Sequence, residues 1–426
     1  MKKGITLGLL FFTALLLTGC KDAGPLTVLV DIQTEMGVSE RNVLAATNEI
    51  QQALAERGGP EDVEFISLPP SGSERAIELE RLRTEIMSGE GPDVFVVNLN
   101  RLGEKLFPIA EREMEQGLFL TLDPYMADAQ YMDWDALTPV VMQAGRTAEG
   151  QQLLPMTYTF PVTYYDDAAV HDTPSAALTW SAMLDEDGVL RNAASPIYLA
   201  DGLSISSPFG GILGAFGKLA DYADGTLCFT EETLQQRLEE AVALQQQTQT
   251  GAFADLPLHH KGSMSVGYDD LWGKMITGSL SQASEVEMVP QYNDAGGVTA
   301  VVTSFVGINR NTDRPEDAFF LADYLMSSEA QQNLKLYEAL FLSASVPTHE
   351  ALMQQAYPVD GWSMSENNYA EFCAARDVIT QARIYSELDG NLQQLFYAWY
   401  TAEVEGQDGA DLVAQTYRSM TLQLQE

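Results

Sequence analysis

The chain has 426 residues, of which 46% are hydrophobic and 20% charged. That is enough apolar material for two or three packed domains and too much for disorder along its length. Its 23 Lys+Arg stand against 61 Asp+Glu, a formal net charge of −38, and such a field repels phosphate backbones, which argues against nucleic-acid binding through a basic face. Three cysteines and four histidines cannot build a disulfide scaffold and leave little for a metal centre, so neither metal nor cofactor is expected.

In chain order, Lys2 and Lys3 precede a mostly apolar stretch from Ile5 to Leu17. As a helix this stretch rises about 20 Å, short of the roughly 30 Å hydrocarbon core, so residues 1–19 read as a secretory signal peptide rather than a span. The stretch ends in Leu17-Thr18-Gly19-Cys20, which resembles the bacterial lipobox; Cys20 is then the lipidated N-terminus (a diacylglycerol thioether with palmitate-type chains), and residues 20–25 are a tether. Leu26 to Asp31 is a short β-rich run. Ser39 caps a helix whose apolar positions Val43, Thr47, Ile50 and Leu54 follow the 3.6-residue period, and Gly58-Gly59 ends it. Val63 to Leu68 alternates as a strand, stopped by Pro69-Pro70. Ser73 opens a second helix with Leu79, Leu82 and Ile86 on one face, closed by Gly89. Asp93 to Val97 is an unbroken apolar run, the pattern of a strand buried on both faces. Alternating strands and helices at this spacing predict a parallel α/β sheet, and no GxGxxG follows the first strand to suggest a dinucleotide.

Further on, Leu153 to Tyr165 is aromatic and β-rich, Thr179-Trp180 starts a helix, and Glu231 to Gln249 is a long polar helix. Ser263 to Tyr268 predicts another strand, followed by Asp269-Asp270-Leu271-Trp272. Val298 to Val306 is strongly β-branched. Pro315 occupies a first helical turn ahead of Ala318, Leu321, Ala322 and Leu325. From Leu352 onward the pattern is mostly helical, ending with Asp411 to Gln425. Strands and helices over this length require two α/β lobes.

Seven segments, in order, resemble the extracellular solute-binding proteins of ABC importers, family 1, the branch that mostly serves sugars. They are the lipobox with its tether, Leu82 to Val97, Glu115 to Met126, Gly150 to Asp166, Thr179 to Leu184, Gly262 to Trp272 and Ser304 to Asn333. The sequence departs from the family at Asp166-Asp167, where Asn-Lys is commoner, and in Gln33 to Met36, which carries no aromatic. The resemblance implies an α/β, two-lobed periplasmic-binding-protein-like fold (type II), with a hinge of several crossover segments and a ligand cleft between the lobes. One lobe then combines residues 26–157 with 306–344, the other 162–302 with 347–426.

Sugars present hydroxyls and flat C–H faces, so a site for them pairs carboxylates and amides with aromatic rings. By position in the family pattern, the ligand candidates are Thr34, Glu35, Asn100 and Arg101 in the first lobe and Tyr158 and Phe160 at the hinge. The second lobe offers Tyr268, Asp269, Asp270, Trp272 and Trp362. Trp399 reads equally as core or site, Arg101 equally as helix surface or site, and Tyr164, Tyr165 and Trp180 read as packing. No catalytic residue emerges. GxSxG is absent, His259-His260 lack the i,i+4 spacing of a helical ligand pair, and Asp185 to Gly188 suggests a calcium loop that Met183 breaks at its first ligand position. Cys228 and Cys373 read as two separate buried thiols.

The expected function is that of a non-enzymatic, lipid-anchored monomer on the outer face of the cytoplasmic membrane. It captures a mono- or oligosaccharide by lobe closure and delivers it to the permease subunits of an ABC transporter. An exported carbohydrate-active hydrolase with an acid pair stays open, as does a ligand-sensing subunit for a membrane kinase. Polyamines stay open as solutes.

Overall fold

Three short runs rich in β-branched residues set the frame of the molecule: Leu26–Asp31 (β1), Val63–Ser67 (β2) and Val94–Asn98 (β3). The computed structural model describes residues 24–32, 40–69, 71–99, 104–165, 174–184, 212–249, 262–266, 287–333, 336 and 366–425. The three strands pair in parallel, with β1 between β2 and β3. Helix α1 (Glu40–Glu56) joins β1 to β2, and α2 (Gly72–Met87) joins β2 to β3. Alternation along β1 and β3 decides what each face packs against. Val28, Val30, Val94 and Val96 share one core with Val43, Ile50 and Leu54 of α1. Leu29, Phe95 and Val97 share the other with Leu79, Leu82 and Ile86 of α2. All five β3 residues are buried, as the unbroken apolar run requires. Helix α2 begins at Gly72, slightly earlier than the Ser73 start expected from sequence: Ser71 is the N-cap residue in extended conformation, and Gly72, at φ 86°, turns the chain into the helix.

Two long strands extend this sheet. Leu153–Tyr165 (β4) pairs antiparallel with Val298–Ile308 (β7). The second half of β7, Ser304 to Ile308, pairs antiparallel with β3 on one side and with the first half of β4 on the other. The second half of β4 carries Gly262–Val266 (β5) and Glu287–Pro290 (β6), and the first half of β7 carries Ile379–Ile384 (β8) in parallel. The result is an eight-stranded sheet. Among the described residues the stretch after Leu352 is mostly helical, as expected, and strand β8 is its exception. Its Gln381, Ala382 and Arg383 favour helix locally, but pairing with Val298 to Val302 of β7 makes it a strand.

Each long strand changes core partway along. In β4, Leu154 and Met156 belong to the α1-side core, whereas Tyr158 and Phe160 belong to the other. In β7, Val306 and Ile308 belong to the α1-side core and Ala300 and Val302 to the other. The change falls at Thr157 and Ser304, whose hydroxyls are 2.5 Å apart, and the β4–β7 register is irregular on both sides of Ser304.

Further described helices include α3 (Ala110–Glu115), α4 (Trp180–Leu184), α5 (Glu231–Gln249), α6 (Pro315–Leu325), α7 (Ser328–Gln332), α8 (Glu366–Arg376), α9 (Glu387–Val404) and α10 (Ala410–Gln425). Pro315 is the first residue of α6, where its missing N–H has no cost. On α6 the carboxylate of Asp323, 3% exposed, accepts from the backbone N–H groups of Gln130 and Met132, both at 2.7 Å, and of Tyr131 at 3.1 Å. Trp180 is fully buried and donates from Nε1 to Glu240 at 2.9 Å, as packing predicted. Trp399 is a core residue of α9, 4% exposed, with Gly409 so close that a Cβ there would lie 2.3 Å from the ring. Cys228 and Cys373 are separate free thiols, but Cys228 is exposed and Cys373 only partly buried, which corrects the expectation that both are buried. No helix among the described residues is long and apolar enough to cross a membrane.

Candidate functional site

The turn of topology at β1 sets the most favourable place for a ligand. The connection through α1 runs to one side of β1 and that through α2 to the other, on opposite faces. In open α/β sheets, ligands sit outside the carboxyl ends of the strands at such a reversal. The carboxyl ends here are Asp31-Ile32, Leu68-Pro69 and Asn98-Leu99, with Asp31 and Asn98 buried. Asp31 forms a buried, two-pronged ion pair with Arg75, at 2.9 and 2.7 Å. Beside the ends of β1 and β2 lies a cavity of about 530 Å³, lined by Val30, Val43, Leu44, Thr47, Phe65 to Pro69 and Glu74.

The crossover strands contribute a polar seam. Thr157 Oγ1 lies 2.6 Å from Thr303 Oγ1 as well as 2.5 Å from Ser304 Oγ. The Thr159 hydroxyl is buried with no hydrogen-bond partner among the described residues. Tyr158 and Phe160, expected as cleft-facing rings, are 3% and 1% exposed and stack on each other at 6.4 Å and 22°. As placed, both rings are core packing, and burial pushes the Tyr158 hydroxyl up to about 12. The alternation Thr157-Tyr158-Thr159-Phe160 contains the reason: residues two apart share a face, so aromatics that enter a core turn the threonines the other way. The expected ligand residues Thr34, Glu35, Asn100, Arg101, Tyr268, Asp269, Asp270, Trp272 and Trp362 lie outside the described residues, as does Cys20. Thr34 and Asn100 nevertheless follow the carboxyl ends of β1 and β3 by three and two positions in sequence. Among the described residues no cluster of three or more His, Cys, Asp or Glu could hold a metal ion.

Residues 38–332 match the family model of the bacterial extracellular solute-binding proteins. The chain belongs to that family. Similar solved structures include a family 1 extracellular solute-binding protein from Alicyclobacillus acidocaldarius, at TM-score 0.55 and 16% identity, covering 95% of this chain and 99% of that one. An oligogalacturonide-binding protein from Yersinia enterocolitica has TM-score 0.58 and 14% identity, over 94% and 99%. An ABC substrate-binding protein from Listeria monocytogenes, in complex with cycloalternan, has TM-score 0.53 and 14% identity, over 95% and 99%. No curated protein sequence matches. These likenesses establish the two-lobed α/β fold expected from the sequence.

In this solute-binding protein a buried charged cluster lies where α3 meets the C-terminal helices. Arg383, at the end of β8, pairs with Asp389 at the start of α9, and both are 1% exposed. Arg383 Nε also donates to the Gly217 carbonyl, and Asp389 accepts from the backbone and hydroxyl of Ser386. Glu387 N–H reaches the Pro108 carbonyl, tying this turn to the residues before α3. Glu111 of α3 faces the cluster. Burial pushes its carboxyl up to about 7; Tyr222, Lys218 and Arg383 oppose that shift, and Asp389 adds to it.

A carboxyl whose pKa rises on folding binds more protons in the folded than in the unfolded state. Its contribution to stability is therefore complete below the ordinary value of 4.5 and lost as pH rises through about 7. That loss is worth about 3 kcal/mol. Glu113, pushed by burial to about 7 as well, acts in the same direction. Urea denaturation at pH 5 and pH 8.5 should show Glu111→Gln losing much less stability than wild type between the two. Equal losses in the two proteins would remove Glu111 as the source.

Proposed function

We propose that this protein is a lipid-anchored receptor that captures an oligosaccharide between its lobes and hands it to the permease of an ABC importer. The family match over residues 38–332 carries the reading. The sugar assignment is supported by structural relatives described as oligogalacturonide-binding and as bound to cycloalternan. The anchor rests on the lipobox at Cys20, with the protein on the outer face of the cytoplasmic membrane. The lobes divide into 26–157 with 306–344 and 162–302 with 347–426. Supporting this division, β4 and β7 change core at Thr157 and Ser304. Closure about those crossovers would bring Thr34, Glu35, Asn100 and Arg101 towards Tyr268, Asp269, Asp270, Trp272 and Trp362.

The test is a thermal-shift panel of oligogalacturonides, cyclic and linear α-glucans, and polyamines. A sugar present at 100 times its dissociation constant should add about 2.7 kcal/mol of stability. Tyr268→Ala and Asp269→Ala should abolish the shift without unfolding the protein, and Cys20→Ser should release it from membranes. A shift with polyamines alone would replace the sugar by a cation; cleavage of a panel oligosaccharide would establish a hydrolase instead.

A further inference from the structure

Helix α2 begins Gly72-Ser73-Glu74-Arg75, and an arginine there would ordinarily point to water. Arg75 is instead 3% exposed, with every nitrogen of its guanidinium in use. Nη1 donates to Asp31 Oδ1 at 2.9 Å and to the Pro69 carbonyl at 3.1 Å. Nη2 donates to Asp31 Oδ2 at 2.7 Å, and Nε to the Glu104 carbonyl at 3.2 Å. These partners belong to three stretches of chain. Asp31 ends β1, Pro69 follows the end of β2, and Glu104 follows β3 by six positions.

A buried ion pair adds little net stability over well-packed apolar side chains, because desolvation offsets the attraction. What a planar fork adds is direction. It holds several acceptors at fixed angles, which the single ammonium of lysine cannot do. We propose that Arg75 is a positioning residue for the solute edge of the first lobe, fixing the carboxyl ends of β1, β2 and β3 relative to one another. This rests on the solute-binding reading for its purpose, but not for its geometry. A ligand site formed from separate strand ends needs its groups held to within a fraction of an ångström, and one shared anchor supplies that coupling.

Hydrogen exchange on the ligand-free protein tests the coupling directly, comparing wild type with Arg75→Lys and with the apolar double variant Arg75→Met/Asp31→Leu. Peptides covering residues 28–32, 66–69 and 97–107 should exchange at least tenfold faster together in Arg75→Lys. Peptides from 80–87 and from 300–308 should match wild type. The double variant should keep the folded state but show the same loosening at all three ends. A change confined to residues 72–77, or an equal change everywhere, would overturn the proposal. If a sugar from the panel binds wild type, its affinity should fall at least tenfold in Arg75→Lys while the melting temperature stays near that of wild type. Unaltered affinity would also overturn the proposal. If no sugar binds, the sugar reading fails, and the exchange pattern still decides the role of Arg75.

Discussion

Replacing Asp323 by alanine should destabilise the fold by about 3–5 kcal/mol, among the largest effects of any single substitution. The carboxylate lies on a buried face of α6 and accepts three consecutive backbone N–H groups, those of Gln130, Tyr131 and Met132. Those amides sit in irregular chain between Asp123–Met126 and Trp134–Ala136, two short helical segments, so no ladder offers another partner. Alanine removes the acceptor and leaves the donors to be desolvated without compensation. Asparagine keeps one acceptor oxygen and should lose roughly half as much by the same reasoning. Urea denaturation of the three proteins at one pH measures this order. A loss below about 1 kcal/mol for alanine would show that water replaces the carboxylate at little cost.

Asp389→Ala should cost a comparable 3–5 kcal/mol or so, because Arg383 would be left charged and buried. The paired replacement Arg383→Met/Asp389→Leu should recover most of that loss, since it removes both charges and keeps the volume. The pair also modulates the pKa of Glu111, which burial chiefly raises. Arg383 lowers that pKa and Asp389 raises it, so Arg383→Met alone should move the pH-dependent loss of stability upward and Asp389→Asn should move it downward. Urea midpoints measured between pH 5 and 9 separate these directions. A transition that shifts the same way in both variants would mean that the cluster does not control Glu111.

Period and composition made the frame readable. The β-branched runs at Leu26 and Val94, the helical period through Val43 to Leu54, and the Pro315 start all carry local information that tertiary packing confirms. Strand β8 was not legible, since Gln381 and Arg383 become strand residues only by pairing with β7, whose partner positions lie some eighty residues earlier. The buried role of Tyr158 and Phe160 was hidden for a related reason. An aromatic strand has the same composition whether its rings meet a ligand or a core, and only the change of core at Thr157 and Ser304 separates the two. Arg75 is the clearest loss: nothing in Ser73-Glu74-Arg75 distinguishes a solvated helix start from an anchor reaching the Glu104 carbonyl.

The pairing of β3 with β7 has a consequence for how the molecule is made. Asn309, just after β7, donates to the Glu90 and Pro92 carbonyls just before β3, and Glu90 lies 219 residues earlier in the chain. A chain emerging from its N-terminus can form β1, β2 and β3 with their helices, but one edge of β3 then remains without its partner strand until residue 308 has emerged. At about 5–20 residues per second, synthesis of the intervening chain takes tens of seconds. During that interval an apolar parallel strand presents open hydrogen-bonding groups, the template on which chains aggregate. Early folding of β1 to β3 with their helices is therefore a hazard, and delaying collapse until the return strand arrives should raise the yield of soluble protein.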